Sequence, residues 1–180
     1  MKHRSVQALC EGAVMAAMAQ LVGYLKLWEM PWGGSVTLSM VPILLYAIRW
    51  GLVKGLAVSF AVGALQFIFD GGFAIGWQAI LGDYLLAYGV LGLAALPRRT
   101  RSGIYTGTLL ACGIRFLVHY AVGATVWAEY MPESFFGLPM YSPWFYSALY
   151  NLAYMIPNTA VTLAVLALLR HPLRRYIVPM

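Results

Sequence analysis

The sequence predicts an all-α integral membrane protein with six transmembrane helices and both termini in the cytoplasm. Three observations carry that expectation. Of the 180 residues, 62% are hydrophobic and only 10% are charged, whereas a soluble domain carries roughly a quarter charged residues. At about 20 residues per span, this length accommodates six helices and short loops, and so a single six-helix transmembrane domain over residues 1–180. The charges are also ordered. Lys2, Arg4, Arg49, Lys54, Arg98, Arg99, Arg101, Arg170, Arg174 and Arg175 fall at alternate helix ends, while Glu29, Asp70, Glu129 and Glu133 fall at the other set. Basic loops stay cytoplasmic, so the net charge of +6 reads as a topology signal, and no nucleic-acid partner is expected. The protein is expected to be multi-pass in the plasma membrane, with the lipid bilayer as its surroundings.

Helix 1 is expected from about Val6 to Leu25. No small-residue cleavage site follows its apolar stretch, so it reads as a retained helix rather than a signal peptide. Gly12 with Ala16, and Ala13 with Ala17, stand at the small-xxx-small spacing that lets another helix approach closely. That strip serves either packing within the bundle or docking to a separate partner protein. Glu11 is expected near the cytoplasmic surface, where a charge costs little. The outer loop LKLWEMPWGGS follows, broken by Pro31 and the Gly33–Gly34 pair. Its Trp28 and Trp32 fit an interfacial aromatic belt, or a lid over a pocket.

Helix 2 is expected from about Val36 to Ile48, short for a span and containing Pro42. Arg49 to Lys54 is a minimal inner turn, and helix 3 occupies about Gly55 to Phe69. After the outer turn Asp70-Gly71-Gly72 comes helix 4, about Ile75 to Leu96, in which Asp83 is the single carboxylate, next to Tyr84. A carboxylate in a span needs a cationic or donor partner. Either a salt bridge to Arg115 or an amine-bearing ligand would supply it. The basic loop PRRTR leads to helix 5, and Glu129 to Pro143 is the longest outer loop and a candidate gate. Helix 6, about Trp144 to Arg170, has Tyr146 in its first turn and Asn151, Met155 and Asn158 on one face, with a kink expected at Pro157. Those asparagines serve helix–helix bonding or ligand binding.

The most informative stretch is GIRFLVHYAVGATVWAEY, residues 113–130. Arg115, His119, Gly123 and Trp127 recur every four residues and share one side of a helix. Ionisable groups at membrane depth face a bundle interior or a wet cavity. The stripe is therefore one wall of a polar pocket, or a structural ion pair with an indole anchor. Cys10 and Cys112 lie in apolar runs and read as small core residues. There is no glycine-rich phosphate loop, and His119 is the lone histidine within a span, so neither ATP hydrolysis nor a metal site is expected. Together, Trp32, Asp83, Tyr84, His119, Trp127, Tyr146 and Asn151 suit a planar, partly cationic heterocycle. Indoles stack on it, a desolvated carboxylate favours its nitrogen donors, and Asn and Tyr add directional hydrogen bonds.

The segments PWGGSVTLSMVPILLYAIRWG, GDYLLAYGVLGLA, RFLVHYAVGATVW and WFYSALYN resemble the thiamine-specific S component (ThiT family) of energy-coupling factor (ECF) vitamin transporters. The resemblance covers nearly the whole chain in length, span count and topology. It implies an S-component-like bundle in a bacterial cell membrane that binds thiamine from outside with high affinity, without a cofactor. Carried over by position, it implies that Trp32 and Trp127 stack on the rings and that His119 helps to position them. Asp83 would pair with the aminopyrimidine, which Tyr84, Tyr146 and Asn151 would hydrogen-bond. Asp83 stands where the family commonly has Glu, and Phe73 falls where a tyrosine is sometimes found. Ala13 and Ala17 match the family's docking strip for a transmembrane coupling subunit, with two separate ATPase subunits supplying energy. The competing expectations are an S component for a thiamine precursor, riboflavin or a related heterocycle; a small intramembrane enzyme using His119, Asp83 and Arg115; and a purely structural membrane partner.

Overall fold

A computed structural model describes residues 2–69, 74–98, 102–173 and 176. Six helices form the body: α1 (Lys2–Gly23), α2 (Met40–Trp50), α3 (Leu52–Phe69), α4 (Trp77–Ala95), α5 (Gly103–Thr125) and α6 (Pro143–Leu169). All but α2 are long and apolar enough to cross a membrane. Their large apolar side chains are freely exposed, among them Leu9, Val53, Leu117 and Ile156. In water that surface would drive aggregation; in lipid it is the correct outer coat. The chain is a helical, multi-pass membrane protein.

The core is built around α2, whose eleven residues are all buried. Met40, Ile43, Leu44 and Ile48 pack there with Leu91 of α4, Ile104 and Ala111 of α5 and Leu166 of α6. Helix 2 starts at Met40 and not at the expected Val36, because Ser35–Val36 pairs with Trp28–Glu29 as a two-stranded hairpin (β2 with β1). Thr37 Oγ1 then bonds Ser39 Oγ at 2.8 Å and accepts the Ser39 amide. Such local side-chain bonds hold the chain out of helix until Met40. A second hairpin, β3 (Ser134–Phe135) with β4 (Leu138–Pro139), lies in the long outer loop.

At the opposite end, Gly51 alone turns the chain from α2 into α3, at φ 90°. Left-handed backbone of this kind suits glycine. Glu11, expected near the cytoplasmic surface, lies partly exposed beside the Gly51 turn and is held from two sides. It accepts Arg49 Nε at 2.8 Å and Trp50 Nε1 at 2.7 Å, which ties α1 to the end of α2. The two small-residue strips of α1 separate cleanly. Gly12 and Ala16 are buried, and a Cβ on Gly12 would stand 2.9 Å from Val58 of α3. Ala13 and Ala17 are exposed on the outside of the bundle. Cys112 is buried as expected, but Cys10 is exposed on α1 and so is not a core residue.

Helix α4 is not a regular helix. It opens with one α turn (Trp77–Ala79), widens to a π-helix over Ile80–Leu86, and tightens to a 3-10 helix over Val90–Ala95. π turns concentrate at functional sites, because they rotate side chains out of the ordinary α register. This one carries Asp83 and Tyr84.

Candidate functional site

A cavity of about 550 Å³ opens at the end of the bundle away from the Gly51 turn. That volume lies within the range of small-molecule sites, about 300–1,000 Å³. Its walls come from the last turns of α1 (Gln20, Gly23, Tyr24) and α3 (Gln66, Phe69), the π segment of α4, α5 with the turn that follows it, and the first half of α6. The β1–β2 loop closes it with Lys26, Glu29, Gly33, Gly34, Ser35 and Thr37, whereas the longer 129–143 loop contributes Tyr130.

Six of the seven site residues expected from sequence line this cavity: Asp83, Tyr84, His119, Trp127, Tyr146 and Asn151. For Trp32 the backbone lies in a 3-10 turn, Pro31–Gly33, and its side chain is outside the described residues, as is Phe73. The stripe Arg115, His119, Gly123 and Trp127 lines the cavity in full. Helix α5 ends at Thr125, and Trp127 begins the 3-10 turn Ala128–Tyr130. Gly123 leaves room for Ser147, into whose side chain a Cβ there would run.

Asp83 is the organiser. Its Oδ1 lies 2.8 Å from His119 Nδ1 and its Oδ2 accepts Trp127 Nε1 at 2.8 Å. One short carboxylate thus fixes both an imidazole and an indole. Against an ionised carboxylate Nδ1 carries the proton, so Nε2 of a neutral ring is an acceptor. Nε2 is buried and has no hydrogen-bond partner among the described residues. The pocket therefore offers a lone pair suited to a ligand N–H.

The expected alternative for Asp83, a salt bridge to Arg115, does not form. Both Asp83 oxygens are taken by donors one and three turns further along the same stripe, His119 and Trp127. Arg115 instead lies 4.1 Å from the centre of the Tyr88 ring, a cation–π contact. It is only 8% exposed. Asn151 is largely engaged within the protein: Nδ2 donates to Ser147 O at 2.8 Å, and Oδ1 accepts Tyr154 Oη–H at 2.9 Å. Asn158 donates to Ser35 O at 3.3 Å, so it holds β2 against α6.

Sequence reasoning passed over Tyr150 and Tyr154. Tyr146, Tyr150, Tyr154 and Asn158 recur every four residues and all line the cavity, a stripe as regular as that on α5. Tyr150 reaches furthest. Its hydroxyl donates to Pro31 O and accepts the Gly34 amide at 3.1 Å. It pins the β1–β2 loop over the opening. Phe135 of the second hairpin packs on Tyr146 and Tyr150, with ring centres 5.3 and 5.8 Å apart. Gln20, Gln66 and Tyr88 also line the interior; each is one of several polar groups on its helix, so nothing in the sequence set it apart.

Fold and cavity define a multi-pass membrane protein with a polar, aromatic-walled chamber at one end of its bundle. Comparison with known proteins narrows the class. Residues 9–177 match the family described as thiamine transporter protein (Thia_YuaJ), and the chain belongs to that family. It is 31% identical to the thiamine transporter ThiT of Bacillus subtilis (strain 168), over 93% of this chain and 92% of that one. It is 22% identical to a thiamine transporter ThiT of Lacticaseibacillus paracasei, over 93% and 89% of the two chains. Its fold matches a solved structure of ThiT from Listeria monocytogenes with a TM-score of 0.86, covering 98% of this chain and all of the other, at 17% identity.

Proposed function

We propose that the protein is the thiamine-binding S component of an ECF-type vitamin transporter, capturing its ligand from the extracellular side. The observation that carries this is the chamber of a thiamine transporter family member in which one carboxylate holds an imidazole and an indole. Thiamine is a cationic heterocycle joined to an aminopyrimidine. Trp127, with Trp32 from the covering loop, stacks on the rings. His119 Nε2 accepts an N–H of the aminopyrimidine, while Tyr84 and Tyr146 hydrogen-bond its edge. Asp83 supplies negative charge opposite the thiazolium and keeps His119 and Trp127 in place. Asn151, bonded mostly to its own helix, shapes the wall and has one amide hydrogen to offer.

Transport follows from partners. The exposed Ala13/Ala17 face of α1 fits close approach by a transmembrane coupling subunit, and two ATPase subunits supply the energy. The pocket lies at the end away from the basic helix ends, which supports an outward-facing site. Calorimetric titration of the purified protein with thiamine, and with riboflavin in parallel, tests the reading. Saturable one-to-one binding of thiamine alone supports it. Binding of riboflavin in preference would move the protein to another vitamin.

A further inference from the structure

We propose that the cavity floor around Arg115 is a second subsite, which takes a small anionic group beside the cationic ligand. Arg115 lies one helical turn deeper on α5 than His119 and lines the same cavity. It is 8% exposed, and its Nη1 is buried with no hydrogen-bond partner among the described residues. The described residues give it no ion pair. The two carboxylates on the cavity wall are committed elsewhere: Asp83 to His119 and Trp127, and Glu29 to Lys26 at 2.5 Å. Gln66 Nε2, also on this wall, is a second buried donor without a partner among the described residues.

A buried cation demands compensation. The Tyr88 ring face supplies part of it but satisfies no N–H of Arg115. On the reading that the ligand is thiamine, on which this proposal rests, occupancy adds another positive charge to the same low-dielectric space. With the Asp83 charge set opposite the thiazolium, an anion at Arg115 offsets the guanidinium and fills the empty donors. The unpartnered acceptors, Gln20 Oε1 and Asn158 Oδ1, ask instead for donors, which water or the ligand's amino group supplies. The negative charge has two possible sources with one chemistry: a phosphate carried by the ligand, or a free inorganic anion.

Binding to the purified full-length protein separates them. Thiamine is titrated in chloride and in gluconate at equal ionic strength, thiamine monophosphate is titrated in gluconate, and each is repeated with Arg115→Gln and Arg115→Lys. If the ligand carries the anion, R115Q lowers the affinity ratio of thiamine monophosphate to thiamine about tenfold, the worth of one charge-assisted hydrogen bond, and R115K restores it. If the anion is free, wild-type protein binds thiamine about tenfold more tightly in chloride than in gluconate, and R115Q abolishes that difference. An unchanged ratio together with no anion dependence overturns the subsite, leaving Arg115 satisfied by water. Wild-type protein that binds neither thiamine nor its phosphate would instead overturn the thiamine reading. The subsite is then decided by whether chloride raises the melting temperature of ligand-free wild type but not of R115Q.

Discussion

At the residue scale the site turns on a short acid doing a bridging job. Asp83 reaches His119 and Trp127 at once, so its loss should misplace two rings of the proposed site as well as remove a charge. Alanine at Asp83 or at Trp127 is expected to weaken thiamine binding by roughly 1–3 kcal/mol each, measured by calorimetry. Because Asp83 and His119 act as a unit, the double variant Asp83→Ala/His119→Ala should lose clearly less than the sum of the two single losses. Full additivity would mean that the two groups contact the ligand independently. Much of this was legible beforehand. Helical periodicity alone put Arg115, His119, Gly123 and Trp127 on one wall, and six of the expected residues do line the cavity. The Asp83–Arg115 pairing failed for a physical reason. Periodicity reports which residues share a side of one helix, but not which of them stands level with a group on the next helix. Asp83 stands level with His119 and Trp127, and Arg115 lies one turn deeper on the same side of α5.

At the element scale the departures from regular helix are what shape the chamber. Neither hairpin was visible in sequence, since two-residue strands leave no alternation to read. The π-to-3-10 change along α4 was equally hidden, because hydropathy averages over it. The helices themselves were plain from apolar length and glycine breaks. Two variants probe the elements directly. Tyr150→Phe removes both bonds to the β1–β2 loop while leaving the ring packed, so the folded protein should release thiamine several-fold faster in stopped-flow fluorescence, at roughly 1 kcal/mol for each lost bond. An unchanged release rate would mean that the loop does not close the site. Gly92→Ala would place a Cβ 2.5 Å from the Leu56 backbone nitrogen. Backbone cannot step aside, so α3 and α4 must separate, and the thermal midpoint in detergent should fall by the equivalent of about 1–3 kcal/mol.

At the scale of the whole molecule, the proposed capture and docking sites lie on different surfaces. The chamber is internal and lies at one end, while the Ala13/Ala17 face is external and flat. Ala13→Trp should therefore leave thiamine binding by the isolated protein within about twofold, since exposed positions away from a site are nearly neutral. The same change should block uptake by cells that also express the coupling and ATPase subunits. The charge pattern and the apolar coat of the bundle were readable from composition alone. The covering of the chamber was not, because it depends on one tyrosine hydroxyl meeting two backbone groups more than a hundred residues away.

The central claim is that thiamine binds inside this chamber against Trp127. Tryptophan fluorescence of the purified protein during thiamine titration tests it most directly, with riboflavin as the control ligand and Trp127→Phe as the control protein. Saturable quenching by thiamine, much reduced in W127F, is the predicted result. No response of the wild-type protein to thiamine, or an equal response with Trp127 removed, would contradict it.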